Sequence, residues 1–319
     1  MSNFNKTIDY SIVIPVYQNE ASLEDTFNTL KEGVIDNNPH YSVEVIFVDD
    51  GSTDNSFKIL QKIYETYPEL IVLIKLTRNF GTYPAIVAGY EKAKGKCIVN
   101  ISADLQDPPE LINEMLNHYF NDDCNIVICH RESRDESFYR KLTSKIFYRI
   151  IKKYCYANMP IGGFDFILIS NKIKDEILEN LEADFFLQGE VLWAGHDVKY
   201  IPYKRREREK GVSQWTFSKK LKWFLDSIMS CSFFPIRFIS SLGMFVALVG
   251  FIYAIVVFIQ RLSSDDYIYG WAPIVILILV LSGLQILMLG MIGEYVWRTL
   301  SQSRNRPKYV ISKIIDKVE

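Results

Sequence analysis

I-V-N-I-S-A-D-L-Q-D-P-P-E, residues 98–110, decides how the rest of the chain is read. An apolar run rich in β-branched residues ends at Ile101. Asp104, Gln106 and Asp107 then crowd onto the following turn, and Pro108-Pro109 open a helix. Acidic oxygens at the carboxyl end of a buried strand make a site for a hard divalent cation, and through it for a diphosphate.

Upstream of this turn the pattern is strand, helix, strand, repeated. Residues 10–16 (Y-S-I-V-I-P-V), 43–48 (V-E-V-I-F-V), 70–76 and 97–101 read as strands, and 125–129 adds another. Residues 20–35, 56–67, 83–93 and 110–119 have helical spacing. Strands that are apolar almost without interruption, alternating with helices, predict a parallel sheet covered on both faces. Ligands bind such sheets at the carboxyl ends of the strands. Three strands here end in polar or acidic turns: Pro15 to Glu20, Asp49 to Ser52, and Ser102 to Asp104. Their convergence on one edge is the residue-level case for a site.

Composition narrows the class. A net charge of -2 over 319 residues excludes a chain-wide nucleic-acid binder. Five cysteines (Cys97, Cys124, Cys129, Cys155, Cys231) without C-x-x-C spacing, and four histidines, argue against a zinc site or a disulfide framework. The cysteines are expected to be small buried hydrophobes in a reducing compartment. The polar N-terminus runs directly into a strand with no secretory signal pattern, so the first domain is expected in the cytoplasm.

The C-terminal part differs. Residues 132–156 are basic, aromatic and helical in pattern. Between Lys199 and Lys222 basic residues interleave with Trp215 and Phe217, and Trp223 and Phe224 follow, as in a helix lying in an anionic membrane interface. Residues 238–259 and 273–293 carry no charge, and each is long enough to cross a hydrocarbon core of about 30 Å. The loop between them holds Asp265 and Asp266, whereas Arg237, Arg298, Arg304, Arg306 and Lys308 flank the pair; Arg261 is the exception. The positive-inside rule then places both termini in the cytoplasm.

With these pieces in order, the chain resembles the family 2 glycosyltransferases of GT-A fold, in the branch that makes polyprenyl-phosphate sugars. The resemblance rests on S-I-V-I-P-V-Y-Q-N-E (11–20), V-D-D-G-S-T-D-N-S (48–56), R-N-F-G (78–81), A-D-L-Q-D-P-P-E (103–110), G-F-D-F (163–166), K-G-V-S (210–213), G-E-Y-V-W-R (293–298) and R-P-K-Y (306–309). It implies an α/β fold: a GT-A, Rossmann-like nucleotide-sugar domain with a mostly parallel sheet, interfacial amphipathic helices and a two-helix transmembrane hairpin. The expected divisions are a catalytic domain over 1–212, amphipathic helices over 213–236, spans at about 238–260 and 272–296 within 237–297, and a cytoplasmic tail over 298–319.

The resemblance also implies roles. Pro15, Tyr17, Glu20, Asp49, Asp50, Arg78 and Asp104 would hold the nucleotide sugar. Asp104 and Gln106 would ligate Mg2+ or Mn2+. Asp165 would be the base or the acceptor-side orienter, with Asp104 the other catalytic carboxylate. Arg131, Arg140, Ser144, Arg206, Lys210 and Ser213 would receive the acceptor phosphate. The implied reaction is inverting transfer from a nucleoside diphosphate hexose, UDP favoured over GDP, to a polyprenyl phosphate such as undecaprenyl phosphate, at the cell inner membrane. A homo-oligomer, a flippase and a downstream glycosyltransferase are open as partners; nucleic acid is not one.

Two positions depart from the family pattern. Many relatives have an acid where this chain has Ser102, and G-F-D-F-I-L replaces G-D-F-R-L. Ser102 leaves open a nucleotide-sugar-binding paralogue of weak catalytic power. A processive polysaccharide synthase would carry more spans and a Q-x-x-R-W stretch, which Gln214-Trp215 is not. A dinucleotide oxidoreductase would need G-x-G-x-x-G after the first strand.

Overall fold

A computed structural model describes residues 7–131, 149, 152–153, 155–160, 163–182, 185–206, 234–263, 271–304 and 306–317. The chain divides into two compact units, one formed by residues 1–221 with 307–319 and the other by 222–306.

The first unit is built on one eight-stranded sheet. Its strands are β1 (Tyr10–Val16), β2 (Val43–Asp49), β3 (Ile71–Leu76), β4 (Cys97–Asn100), β5 (Ile126–Arg131), β6 (Phe166–Ser170), β7 (Val198–Tyr203) and β8 (Ile311–Ile315). The helices are α1 (Leu23–Leu30), continued by a π-turn over Lys31–Ile35, then α2 (Ser56–Thr66), α3 (Thr82–Lys92), α4 (Leu111–Asp122), α5 (Asn171–Asn180) and α6 (Leu187–Trp193). Strand order is β7-β5-β6-β4-β1-β2-β3-β8. The pairs β1–β2, β2–β3, β1–β4 and β5–β7 are parallel. β6 inserts antiparallel between β4 and β5, and β8 closes the far edge antiparallel to β3. The sheet is therefore mostly parallel rather than wholly so. β6, β7 and β8 are additions to the elements expected from sequence, and β8 lies inside the segment expected to be a tail.

The unbroken apolar strands are explained by cover on both faces. Ile12, Ile14, Val16, Val45 and Phe47 face a core completed by Leu23, Phe27, Leu30, Leu60, Ile112 and Met115 from α1, α2 and α4. Val13, also fully buried, points the other way, toward α3. There Gly89 sits against the Val13 side chain, and a Cβ at that position would collide with it. This glycine sets how closely α3 approaches the sheet.

The second unit carries α7 (Phe234–Ser263) and α8 (Trp271–Ser303). Both are long and apolar enough to cross a membrane, and their most apolar windows, Ile236–Tyr253 and Val280–Ser303, have no buried residues within the structure. Met244 is 74% exposed and Ile286 70%. A helix of a water-soluble core would bury such side chains. Gly243 on α7 accommodates Met288 of α8, where a Cβ would overlap the methyl group.

Candidate active site

Sheet topology locates the site before any side chain is considered. β1 has β2 on one side and β4 on the other, and the chain direction of the winding reverses there. This switch point is where open α/β sheets bind ligands. The β1–β4 ladder ends at Val13 and Asn100, with one further bond from Ile101 N–H to the Val13 carbonyl (3.2 Å). Beyond it the strands diverge. Pro15 lies in this gap, still in register with Val48 of β2, so its missing N–H removes nothing from the β4 side.

The turn after β2 and the turn after β3 are built on each other. Asp50, 2% exposed, accepts from the N–H groups of Phe80 (2.7 Å) and Gly81 (2.9 Å). Gly51 has φ +67, and a Cβ there would run into the Arg78 backbone. The V-D-D-G-S and R-N-F-G stretches thus form one structure, with Arg78 exposed and its guanidinium 3.9 Å from the Phe80 ring centroid. Burial pushes the Asp50 carboxyl up to about 6 against the opposing pull of those two N–H groups. Asp49 is fully buried. Its Oδ1 accepts from Ser52 N–H (3.2 Å), while its Oδ2 has no partner among the described residues. Burial also raises its pKa. Glu20 is exposed and accepts from the backbone (2.9 Å) and side-chain (3.1 Å) N–H groups of Asn55, at the start of α2. Tyr17, half-buried, directs its N–H to Asn19 Oδ1 (3.0 Å).

The A-D-L-Q-D turn is held at several points. Ser102 Oγ lies 2.9 Å from Asp104 Oδ1 and 2.8 Å from Asp107 Oδ2. A hydroxyl has one proton, so it can donate to only one of these carboxylates at a time. Asp104 Oδ1 also accepts from Gln106 N–H (3.2 Å). Leu105 between them has φ +56, a left-handed conformation that costs a non-glycine residue about 1 kcal/mol. Asp107, 1% exposed, accepts from Tyr203 Oη (2.5 Å) and pairs with Arg205 (3.4 Å). Arg206 donates its N–H to the Gln106 carbonyl (2.9 Å), and its guanidinium pairs with Glu110 (3.1 Å). The strand-β7 end and the acidic turn are therefore one assembly.

No three His, Cys, Asp or Glu side chains converge as a metal-ligand set among the described residues. The turn nonetheless offers hard oxygens only: the Asp104 carboxylate, the Gln106 amide and the Ser102 hydroxyl. That chemistry suits Mg2+ or Mn2+ completed by phosphate oxygens. The Ser102 hydroxyl shared between two carboxylates leaves negative charge that a cation would offset.

Asp165 precedes β6 and, because β6 runs antiparallel to β4, reaches the same edge. Its Oδ2 lies 3.6 Å from the Arg131 guanidinium, and its Oδ1 accepts from Gln188 Nε2 (3.1 Å) and Tyr83 Oη (3.5 Å). Asn100 Nδ2 donates to its backbone carbonyl (2.6 Å). Arg131 and Asp165 are thus brought together, whereas Arg206 is paired at the acidic turn. Arg140, Ser144, Lys210 and Ser213 lie outside the described residues, as does most of the 213–236 stretch.

The model of the family described as Glycosyl transferase family 2 matches residues 11–178, which contain all of these turns. The chain belongs to glycosyltransferase family 2. It is 36% identical over 310 residues to the uncharacterized glycosyltransferase YkcC of Bacillus subtilis (strain 168), covering 97% of this chain and 95% of that one. It is 31% identical over 304 residues to the bactoprenol glucosyl transferase of Shigella phage SfII, covering 95% and 97%. Among solved structures, the mannosyltransferase PcManGT from Pyrobaculum calidifontis, in complex with GDP-Man and Mn2+, aligns with a TM-score of 0.44 at 18% identity, over 60% of this chain and 54% of that one.

In this family 2 glycosyltransferase several site residues escaped the sequence reading. Asn100 was detectable as the one amide in an apolar strand, whereas Asp107 was placed on the turn by the sequence but given no role there. Gln188 and Tyr83 gave no signal, since nothing local ties either to Asp165.

Proposed function

We propose that the chain transfers a hexose from a nucleoside diphosphate sugar, UDP-linked in preference to GDP-linked, to a polyprenyl phosphate, with inversion and with undecaprenyl phosphate as the acceptor. One observation carries this reading. The Asp49-Asp50 turn, the Asp104-Gln106 turn and the Asp165–Arg131 pair lie at one sheet edge of a family 2 chain that also contains two exposed apolar helices. The bactoprenol glucosyl transferases, matched along nearly their whole length, support a lipid phosphate acceptor and a glucosyl-type donor.

In this reading the turn on Asp50 and the buried Asp49 receive the nucleoside, and Asp104 with Gln106 receives the diphosphate together with a divalent cation. Such a cation would stabilise the charge that develops on the departing diphosphate. A phosphate monoester has a second pKa of about 6, so the acceptor is mostly dianionic at neutral pH and needs no strong base. Asp165 then orients, and Arg131 supplies the counter-charge for an incoming phosphate. The helices α7 and α8 span the membrane. Residues 1–221 and 307–319, on either side of the two helices in sequence, belong to one folded unit, which supports an even number of crossings. The basic flanks favour the cytoplasmic side of the inner membrane. Ser102 supports a second reading, a nucleotide-sugar binder of low turnover.

The test is transfer by detergent-purified protein mixed with undecaprenyl phosphate, a panel of UDP- and GDP-hexoses and Mg2+ or Mn2+, read by mass spectrometry of the lipid. One sugar transferred, and lost in Asp104→Ala, is the expected result. Nucleotide binding without any glycolipid would favour the second reading.

A further inference from the structure

Two buried carboxamides flank Asp165, and both are half-satisfied. Gln188 is 4% exposed and Asn100 3%. Each uses its nitrogen on Asp165: Gln188 Nε2 donates to Oδ1 (3.1 Å) and Asn100 Nδ2 to the backbone carbonyl (2.6 Å). Those contacts settle the amide orientations, because a flipped amide would set its oxygen against a carboxylate or a carbonyl. The carbonyl arms, Gln188 Oε1 and Asn100 Oδ1, are therefore held in place, and neither has a hydrogen-bond partner among the described residues. Buried carbonyl oxygens in folded proteins are normally paired, so each such exception needs a reason, and a donor supplied by water or ligand is one.

The packing fixes the backbone that carries each amide. Gly189 brings α6 so close to Tyr156 and Phe186 that a Cβ there would lie 2.9 and 2.8 Å from their rings. Asn100 is the last residue of β4, pinned by its pairing with Ile167. Both oxygens belong to carboxamides bonded to Asp165, so they sit within a few ångströms of it, at the carboxyl edge of the sheet. Two fixed acceptors around one aspartate, one amide bonded to its carboxylate and the other to its backbone carbonyl, suit a ligand with more than one hydroxyl donor.

We propose that Gln188 and Asn100 read hydroxyl groups of the donor sugar, and that Gln188 is a specificity-determining residue. The inference rests on the nucleotide-sugar reading above and deepens it: the transferred group must carry free hydroxyls facing Asp165, and a donor lacking the relevant one is discriminated against.

The experiment measures equilibrium binding of UDP, GDP, UDP-glucose, UDP-galactose and GDP-mannose to the full-length protein with Mn2+, then of deoxy analogues of the tightest sugar. Wild type should bind one nucleotide sugar more tightly than its bare nucleotide, and removal of one hydroxyl should weaken it about tenfold, the value of one hydrogen bond lost to a buried acceptor. In Gln188→Met that margin should vanish and the deoxy analogue should bind like its parent, with affinity for the bare nucleotide unchanged. The proposal is overturned if Gln188→Met keeps the margin, if it weakens bare nucleotide and nucleotide sugar alike, or if every deoxy analogue binds wild type as the parent does. The last comparison uses unmutated protein and so holds even if the variant does not fold. If wild type binds no nucleotide at all, the nucleotide-sugar reading fails and this inference with it, a result distinct from the other three.

Discussion

Ser102→Asp introduces the acid that the family resemblance leads one to expect at this position, and the structure indicates what it should do. Ser102 Oγ lies 2.9 Å from one oxygen of Asp104 and 2.8 Å from one of Asp107. Like charges about 4 Å apart repel by about 4 kcal/mol at an effective dielectric of about 20, so two such contacts bound the penalty near ~8 kcal/mol. Position 102 is half-buried, and the new side chain can turn toward water or take up a proton. A net loss of about 2–4 kcal/mol is therefore expected without metal, a large share of the ~5–15 kcal/mol typical of a domain. A divalent cation should reverse the effect, since three carboxylates would then share its charge. Calorimetric melting of the detergent-purified protein, in chelator and across an Mn2+ titration at fixed UDP, reads both arms. The variant should melt below wild type in chelator, gain more from Mn2+, and bind Mn2+ about ten- to a hundredfold more tightly. If it melts like wild type in chelator and gains nothing from Mn2+, position 102 does not face a cation and the assignment of Asp104 fails with it.

Three further outcomes follow from particular contacts. The Asp50 carboxyl, pushed by burial from 3.8 up to about 6, binds its proton more tightly in the folded than in the unfolded chain. Its contribution to stability should therefore fall as pH rises between about 4 and 6, by about 3 kcal/mol in all. Asp50→Asn should flatten that part of the stability curve, and a curve of unchanged slope would refute the link. Gly89→Ala should cost about 1–2 kcal/mol despite the better helix propensity of alanine, because the added methyl overlaps Val13. Val13→Ala should recover part of the loss in the double variant, as measured by urea denaturation, and a stabilised Gly89→Ala would contradict the close packing of α3. Asp165→Asn should lower kcat by about ten- to a hundredfold while the Kd for donor stays within about twofold, since the amide keeps one oxygen for Gln188 but weakens the pairing with Arg131. Complete loss of turnover with intact binding would make Asp165 a required base.

The front of the fold was legible because its information is local. β1 to β4 are apolar runs with polar ends, and a strand buried on both faces can hardly look otherwise. α1 begins at Leu23 rather than at residue 20 because Ser22 and Glu20 are used in the turn, Ser22 donating to the Ala103 carbonyl (2.9 Å) and Glu20 accepting from Asn55. β6 and β7 were missed for a different reason. Their pairing with β4 and β5 is set by chain far away in sequence, and F-I-L-I-S looks the same whether it runs parallel or antiparallel. β8 is harder still: I-S-K-I-I is a five-residue segment that follows two long apolar helices, and only the free edge of β3 makes it a strand. The acidic turns announced themselves by charge at strand ends. What sequence could not give was the use of each oxygen, such as both Asp50 oxygens being taken by the 78–81 turn.

That allocation of oxygens bears on function. Among the described residues, three carboxylate or carboxamide oxygens are buried without a hydrogen-bond partner: Asp49 Oδ2, Asn100 Oδ1 and Gln188 Oε1. Asp49 ends β2, Asn100 ends β4, and Gln188 is bonded to the aspartate that precedes β6. Leaving a buried acceptor unsatisfied costs about 1–3 kcal/mol, so three in one region oppose folding by several kcal/mol. Packing alone gives no reason for all three to lie at the carboxyl edge, on either side of the switch point where β1 and β4 part. The proposed donor would give one: it presents hydrogen-bond donors at both ends, with a phosphate-bearing middle that the proposed function sets against the Asp104 turn. A nucleoside diphosphate sugar has that order of groups, from base and ribose through diphosphate to sugar hydroxyls. The strain at Leu105 belongs to the same logic, since non-glycine residues held in left-handed backbone cluster where a site requires them. The cost to the empty protein becomes part of the binding energy once donor arrives, and so the donor should raise the melting temperature more than the bare nucleotide does at equal occupancy.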